Sequence, residues 1–307
     1  MPSSTPIVLS APATALAREH AAWPATEGSP GGGEVGSRGA SSLHARYGAH
    51  VPDTAGLWNE VLSSLLAHRS IRAYRPDKIP QGALEAIIAA AQSASSSSNL
   101  QTWSVVVVED GARKARLAEF AGGQKHILRA PVFLVWLADL ARAGRLARLA
   151  GRPDHGLHFL ETFLVSVIDA ALAAQNAVVA LEALGLGAVY IGAIRNRPDA
   201  VAAELGLPPH VAPVFGLCIG YADPDATAAV KPRLSQKVVV HRETYALETQ
   251  DEGITAYDEV LRQFQVSQRL PAPGWVDAVL NRLGSIRALN GRDKLAEQLK
   301  ALGFALR

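Results

Sequence analysis

Two kinds of apolar segment alternate along the chain after about residue 57. Four short, continuous apolar runs are bounded by turn-forming residues, a pattern typical of strands buried on both faces. Between and after these runs, apolar residues recur at helical spacing. Strands that alternate with helices predict one α/β or α+β layered domain rather than two separate domains.

The predicted strands are residues 105–108, 132–138, 189–191 and 213–221, and the predicted helices are 57–66, a segment from Pro80 to about residue 91, 112–120, 160–184, 198–205, 251–267, 275–283 and 292–302. Because residues 105–108 are four consecutive valines, that strand is predicted to be fully buried.

The first 52 residues differ in composition from the rest of the chain. Residues 28–42 are rich in glycine and serine and have neither a helical nor a strand period, which is typical of a linker. We therefore predict a disordered extension over residues 1–52; a wrongly assigned start and, less favoured, an organellar transit peptide are the alternatives. Order is expected to begin near Asp53 or Thr54, either of which suits a helix N-cap, in a domain over residues 53–307.

Charge and cysteine content exclude several classes of protein. The chain has 30 Lys and Arg against 28 Asp and Glu, so its formal charge of +2 argues against nucleic-acid binding. Its single cysteine, Cys218, lies in an apolar run and is predicted to be a small core residue, which fits a reducing, cytoplasmic location. The apolar stretch at 163–186 is interrupted by polar residues, Asp169 and Glu182 among them, so it predicts a buried helix and not a membrane span. Its many small residues favour a place at the centre of the core or at a subunit contact.

Several familiar catalytic motifs do not match. The Gly-Leu-Gly sequence at 185–187 lacks the third glycine of a dinucleotide fingerprint and joins a helix to a strand, which is the reverse order. Residues 121–126 lack the spacing of a phosphate-binding P-loop, and no serine is set in a nucleophile elbow. His155 and His158 are interpreted as solvated histidines, because no glutamate pattern makes them a zinc pair, and no metal site is predicted.

Three polar clusters remain. Residues 68–72 place two arginines, a histidine and a serine directly after a predicted helix, and arginine forks bind phosphate groups well. Residues 95–101 form a serine-rich turn whose hydroxyl and amide groups can hydrogen-bond the edge of a polar ring. Residues 231–233 put two cations on a loop stiffened by proline. Taken singly, each cluster is explained at least as well by an ordinary solvated loop.

Seven motifs occur in order along the chain: HRSIR at 68–72, SSSS at 95–98 with LQ at 100–101, GGQKH at 122–126, AQNA at 174–177, LGLG at 184–187 with YIG at 190–192, FGL at 215–217, and KPRL at 231–234. This series resembles the nitroreductase family, in its branch of oxygen-insensitive NADPH nitroreductases and flavin reductases, over roughly residues 57–307. The resemblance implies an α+β, three-layer, FMN-dependent fold in which helices flank a central mixed, mainly antiparallel sheet. It also implies a homodimer with a C-terminal helical arm.

The resemblance further implies one bound FMN per subunit. The residues matched to its phosphate and ribityl chain are His68, Arg69, Ser70, Lys231 and Arg233. Arg72 matches a cation beside the N1 and O2 atoms of the flavin ring, where positive charge stabilises the reduced cofactor. The residues matched to the ring and its edges are Ser96, Ser98, Gln124, Lys125, His126, Tyr190, Ile191, Gly192 and Ala193. Ala193 stands where relatives often have glycine, so its methyl group could crowd the cofactor.

Substrate contacts follow from the same resemblance. Ser98, Asn99 and Arg292 match positions that face the substrate. Arg269 is the single arginine in residues 267–274 and is the candidate for binding the 2′-phosphate of NADPH, which leaves the choice between NADPH and NADH open. The expected partners are a nicotinamide nucleotide, a small acceptor and a second copy of the chain, with neither nucleic acid nor membrane.

The implied reaction is a ping-pong, two-electron reduction of nitroaromatics, quinones or free flavin by NAD(P)H. Because the chemistry takes place on FMN, no residue is assigned as a general acid or base. Two alternatives stay open: a flavin-binding carrier with little turnover, and a reductive flavoenzyme of the same scaffold with another substrate.

Overall fold

The computed structural model describes residues 32–54, 57–226 and 228–307, with side chains from residue 40 onward. The prediction of disorder for residues 1–31 lies outside this range. The helices of the described residues are α1 (Gly32–Tyr47), α2 (Glu60–Ala67), α3 (Ala83–Gln92), α4 (Gly111–Phe120), α5 (Lys125–Arg129), α6 (Ala141–Leu149), α7 (Leu160–Ala183), α8 (Pro198–Leu205), α9 (Gln236–Val239), α10 (Asp251–Ser267), α11 (Gly274–Leu283) and α12 (Leu295–Ala301). The strands are β1 (Trp103–Val108), β2 (Val132–Asp139), β3 (Gly187–Ile191) and β4 (Val211–Gly220).

The four strands form one sheet in the order β1-β2-β4-β3. Each neighbouring pair is antiparallel; Val105 lies opposite Trp136, for example, and Tyr190 lies opposite Leu217. A parallel bridge between Ser70 and Ala188 lies at the outer edge of β3. The predicted mixed, mainly antiparallel sheet is therefore confirmed.

Both faces of the sheet are covered by helices. Strand β2 is buried at every position from Val132 to Ala138, because its side chains alternate between two cores. Val132, Leu134 and Trp136 pack in the core shared with α3 and α7. Phe133, Val135 and Leu137 pack in the core shared with α4, α5 and α8. The result is the three-layer arrangement that the resemblance implied.

The single cysteine lies in the second of these cores. Cys218 of β4 is fully buried and free, as predicted, and burial raises the pKa of its thiol. The thiol of Cys218 is therefore shielded from solvent.

The prediction of a fully buried strand at residues 105–108 is wrong. Strand β1 is an edge strand, and most of its side chains are half-buried, with Val107 exposed to 39%. A run of four valines is equally compatible with an edge position, because strand order depends on pairing partners that are far away in sequence.

The N-cap of the first predicted helix also differs from the prediction. Helix α2 begins at Glu60, where the side chain of Asn59, rather than Asp53 or Thr54, accepts a hydrogen bond from the backbone N–H of Leu62 at 2.9 Å. Helix α1 covers residues that were predicted to belong to a linker, and its Leu43 and Arg46 are buried.

Helix α7 lies across the sheet and has two apolar faces. One face, which includes Ala173, Ala177 and Leu181, is buried in the core as predicted. The other carries Leu160, Leu164, Ile168 and Leu172 at intervals of four residues, each between 43% and 55% exposed. Within the described residues, α7 alone has the length and hydropathy of a membrane span, and a large part of it is packed against the protein.

Candidate functional site

Two of the three polar clusters converge on one cavity of about 450 Å³. Its lining comes from Arg46, residues 68–73, seven residues between 222 and 233, and three residues between 264 and 270. The permanent cations of this lining are Arg46, Arg69, Arg72, Lys231 and Arg233, and its carboxylate is Asp223. Such a concentration of guanidinium and ammonium groups is suited to a phosphate or another multiply charged anion.

The first cluster is held against the edge of the sheet. The backbone N–H of Ile71 donates to the carbonyl of Ala188 at 2.8 Å, next to the bridge formed by Ser70. A Cβ atom at Gly187 would lie 2.5 Å from Cγ1 of Ile71, so only glycine allows the segment to approach β3 this closely. The hydroxyl of Tyr74 donates to the carbonyl of Ile71 at 2.6 Å. These contacts fix the backbone from which Arg69 and Arg72 reach the cavity.

His68 has a partner that the sequence did not reveal. Its Nδ1 atom lies 2.6 Å from Oε1 of Glu182, near the end of α7. Burial, and then the nearby Glu182 carboxylate, raise the pKa of the Tyr190 phenol. Glu182 therefore pairs with His68 and also influences Tyr190, two predicted site residues.

The cations of the cavity affect one another. Burial, followed by repulsion from Arg72 and Arg233, lowers the pKa of the Lys231 ammonium. Burial, followed by repulsion from Arg72, lowers the pKa of His126. Like charges this close disfavour one another, and a bound anion relieves that repulsion. This repulsion also indicates that the 231–233 loop and the GGQKH segment both lie near Arg72.

The GGQKH segment turns sharply before it reaches α5. Gly122 and Gly123 have φ of 75° and 77°, a region that suits glycine. Gln124 precedes the helix, is half-buried, and its side chain makes no capping hydrogen bond. Lys125 is exposed on the first turn of α5. The ring of His126 lies near Arg72, and Gln124 precedes it by two residues.

The Tyr190–Ala193 segment ends β3 and enters a short helical turn, Gly192–Asn196. Tyr190 is 37% exposed and packs edge-to-face on Phe215, with ring centroids 5.1 Å apart. Ile191 is buried, and the side chain of Ala193 packs against the core between the sheet and α4. The methyl group of Ala193 is therefore accommodated by the core.

A second group of cations lies beside this turn. Burial, then Arg282 and Arg195, lower the pKa of the Arg292 guanidinium, whose Nε donates to the carbonyl of Leu289 at 2.9 Å. Arg195 donates to the carbonyl of Val214. The structure thus brings the predicted Arg292 next to the end of β3. Sequence reasoning missed Arg195, although it follows the YIGA motif by only two residues.

The serine-rich turn is organised by a buried carboxylate. Asp169 of α7 is 2% exposed, and its Oδ2 accepts hydrogen bonds from the Ser96 hydroxyl at 2.8 Å and from the Thr102 backbone N–H at 2.9 Å. The Ser96 hydroxyl in turn accepts a bond from the Gln101 N–H at 2.8 Å. Ser96 therefore shapes the loop in this chain. The sequence does hint at this role of Asp169, because it is a carboxylate within a mainly apolar helix.

Three residues of this turn have left-handed backbone conformations. Ser98, Asn99 and Gln101 have φ of 49°, 55° and 51°, which are uncommon for residues other than glycine. Such conformations persist only where the surroundings hold them, and they concentrate at binding sites. The turn presents Ser98 and Asn99 to solvent in this strained form.

The serine-rich turn and the cationic cavity are anchored at different places on α7. The 13 positions from Asp169 to Glu182 correspond to about 20 Å along the helix axis, at about 1.5 Å per residue. One chain by itself does not bring the turn into the cavity lining.

Arg269 lies at the rim of the cavity. It follows α10, is exposed, and has a φ of 55°, while its neighbours Gln268 and Leu270 line the cavity. Arg269 itself is exposed and does not belong to the cavity lining.

Comparison with known proteins decides the family. The family model described as nitroreductase family matches residues 65–221, and the model of the family's C-terminal domain matches residues 231–307. The chain belongs to the nitroreductase family. The fold and the family inferred from the motif order are thereby confirmed.

Three known nitroreductase-family members illustrate the likeness. The chain is 42% identical over 205 residues to the oxygen-insensitive NADPH nitroreductase of Salmonella typhimurium, covering 66% of this chain and 82% of that protein. It is 44% identical over 214 residues to the FMN reductase [NAD(P)H] of Bacillus subtilis, covering 67% and 83%. The structure of the hypothetical oxidoreductase YcnD from Bacillus subtilis superimposes with a TM-score of 0.76 at 37% identity, covering 81% of this chain and 99% of that one.

Proposed function

We propose that this protein is an FMN-dependent NAD(P)H oxidoreductase that reduces nitroaromatics, quinones or free flavin by a two-electron, ping-pong reaction. The observation that carries the proposal is the convergence of residues 68–72 and 231–233 on one cationic cavity in a nitroreductase fold. Relatives that are more than 40% identical are named as a nitroreductase and an FMN reductase.

The residues present fit the phosphate end of FMN. A phosphate monoester carries up to two negative charges, and the cavity offers five permanent cations against one lining carboxylate. Burial and the neighbouring arginines lower the pKa of Lys231, which shows that the cations of this cavity repel one another. A bound phosphate would offset that repulsion, so the lowered pKa supports the same assignment. His68 and Ser70 supply further hydrogen-bonding groups beside the edge of β3.

The flavin ring is assigned to the region between Arg72 and Tyr190. Arg72 provides positive charge, Gln124 and His126 provide polar groups, and the backbone after Ile191 provides N–H donors. FMN, when bound, supplies two-electron transfer between nicotinamide and acceptor. The protein's task is therefore to bind, orient and shield, and it needs no acid or base of its own.

The active unit is proposed to be a homodimer. The exposed Leu160, Leu164, Ile168 and Leu172 form a continuous apolar ridge on α7 that a second copy would cover. Since Asp169 holds the serine-rich turn about 20 Å along α7 from Glu182, Ser98 and Asn99 are assigned to the site of the second copy. The helical arm after residue 236, with exposed Leu280, Leu283 and Ile286, adds further apolar surface.

The remaining assignments concern substrate and location. Arg292, with Arg195 and Arg282 beside it, is assigned to the acceptor side, where a cationic group orients nitro and carbonyl oxygens. Arg269 is assigned to the nucleotide. The free, buried Cys218 fits the reducing environment of the cytoplasm, where we place the protein.

An anaerobic visible spectrum of the purified protein tests the proposal. We expect an oxidised-flavin band that bleaches on addition of one equivalent of NADPH or, separately, of NADH. The relative bleaching rates decide which nucleotide is preferred. A band that persists with both nucleotides would favour the carrier alternative. Failure to bind added FMN would overturn the site assignment.

A further inference from the structure

Arg46 is the one cavity-lining cation that comes from α1, outside the part of the chain matched by the family models. Those models begin at residue 65, whereas α1 ends at Tyr47. Arg46 is nevertheless 5% exposed and shares the cavity with Arg69 and Arg233. Arginine is rarely buried to this extent unless its hydrogen bonds are satisfied.

The guanidinium of Arg46 joins the two cationic segments through their backbones. Its Nε donates to the carbonyl of Leu66 at 3.0 Å, its Nη1 donates to the carbonyl of Lys231 at 2.8 Å, and its Nη2 donates to the carbonyl of His68. The carbonyl of Arg46 accepts a bond from the N–H of Arg233 at 2.8 Å. Four hydrogen bonds therefore fix residues 66–68 relative to residues 231–233.

The charge of Arg46 is not neutralised by these partners, which are all peptide carbonyls. Burial, and then repulsion from Arg233, lower the pKa of its guanidinium. Glu182 acts in the opposite direction, but its carboxylate already lies 2.6 Å from His68. A buried cation with neutral partners is costly unless an anion lies close by. The cavity that Arg46 lines is where that anion would bind.

We propose that Arg46 is a positioning residue for the phosphate of FMN: its planar fork sets the spacing between the 68–72 segment and the 231–233 loop. This inference rests on the proposed function. It adds to the flavin site a residue of α1, which lies before the region that the family models match. Three of the five N–H groups of the guanidinium are used on backbone carbonyls, so Arg46 acts mainly through the cations that it holds in place.

The test compares FMN with riboflavin, which has the same ring and ribityl chain but no phosphate. Full-length protein is stripped of flavin, and the dissociation constant of each ligand is measured by quenching of flavin fluorescence. Arg46→Gln, Arg46→Lys and the control Arg116→Gln are studied, the control being an exposed arginine that pairs with Glu204 away from the cavity. Circular dichroism and thermal unfolding of each protein check the fold.

In Arg46→Gln we expect FMN to bind at least tenfold more weakly, while riboflavin affinity changes by less than twofold. In Arg46→Lys, less than half of the lost FMN affinity should be recovered, measured as the logarithm of the dissociation constant. An ammonium group cannot span three carbonyls as a planar guanidinium does. The control should keep the wild-type preference for FMN.

The outcomes separate this inference from the function on which it rests. A wild-type protein that binds FMN no better than riboflavin would overturn the phosphate site itself. A wild-type preference that Arg46→Gln retains would overturn only the role of Arg46. An equal loss of affinity for FMN and for riboflavin would overturn the phosphate-specific role and leave Arg46 as a general structural contact. Full recovery in Arg46→Lys would mean that charge, and not the fork, is what matters. If Arg46→Gln does not fold, the ligand comparison in Arg46→Lys decides alone.

Discussion

His68 and Glu182 join the start of the cationic segment to the end of α7, with Nδ1 and Oε1 2.6 Å apart. Both side chains are mostly shielded from solvent, at 27% and 15% exposure. Glu182→Gln keeps the shape of the side chain but removes its charge, so the bond loses its charge-assisted part. We expect the free energy of unfolding, measured in urea, to fall by about 1 kcal/mol.

Glu119→Gln is the matched control for that change, because Glu119 is exposed on α4. Its unfolding free energy should stay within about 0.3 kcal/mol of the wild type. If Glu182→Gln behaves like this control, the pair contributes nothing to stability.

Asp169→Asn should be more damaging. The Asp169 carboxylate is buried and accepts from Ser96 and from both the N–H and the hydroxyl of Thr102, whereas an amide has a single oxygen acceptor and turns N–H groups toward donors. We expect a loss of about 2–4 kcal/mol in chemical denaturation. Ser96→Ala, which removes one partner, should cost about 1 kcal/mol. Equal effects of the two changes would contradict the central place of Asp169.

Arg72→Ala tests the assignment of the flavin ring. We expect the dissociation constant of FMN to rise roughly tenfold, because a charge-assisted interaction worth about 1.5 kcal/mol is lost. Thermal unfolding of the flavin-free protein should change little. Arg145→Ala on α6, which removes an exposed arginine, is the control. Wild-type flavin content and turnover in Arg72→Ala would remove Arg72 from the site.

Arg269→Ala addresses nucleotide choice. If the exposed guanidinium contacts the 2′-phosphate, its loss should raise KM for NADPH by about fivefold to tenfold and KM for NADH by less than twofold. Steady-state kinetics with both nucleotides measure the effect, and Arg242→Ala, which changes an exposed arginine on another loop, should alter neither value. Equal changes with both nucleotides would exclude Arg269 from phosphate recognition.

Ile168→Glu addresses the subunit contact. Ile168 is 55% exposed in the middle of the apolar ridge of α7, and a carboxylate there would be desolvated on association. We expect sedimentation velocity to show a monomer, and flavin reduction to be lost with it. Leu146→Glu alters a similarly exposed leucine on α6 and should leave the mass of the assembly unchanged. A dimeric Ile168→Glu protein would place the interface elsewhere.

Local pattern predicted much of the fold. The apolar run at 132–138 gave β2, and helical spacing gave α10 with its observed bounds. The pattern failed where distant partners decide: Val107 is exposed because β1 has a neighbour on one side only. Helix α1 was missed because its glycine and serine residues have low helix propensity, whereas buried Leu43 and Arg46 dock it onto the protein.

The site was predicted less completely than the fold. Residues 68–72 and 231–233 stood out by composition, but only the motif order suggested that they meet, since no local pattern connects positions about 160 residues apart. Arg46, Glu182 and Arg195 contribute through backbone carbonyls or a single long-range pair. Such roles leave no periodicity or spacing in a sequence.

Helix α7 also limits how this enzyme can diversify. Asp169 and Glu182 belong to the same continuous helix and hold the serine-rich turn and the cationic segment, respectively. A shift of α7 would therefore move both segments together. Arg269 lies in the connection between α10 and α11, and Arg292 lies in the connection between α11 and α12. Among the described residues, neither connection makes a hydrogen bond to α7. Under the roles proposed for Arg292 and Arg269, a new acceptor or nucleotide preference would come from substitutions in these C-terminal connections, without a change on α7.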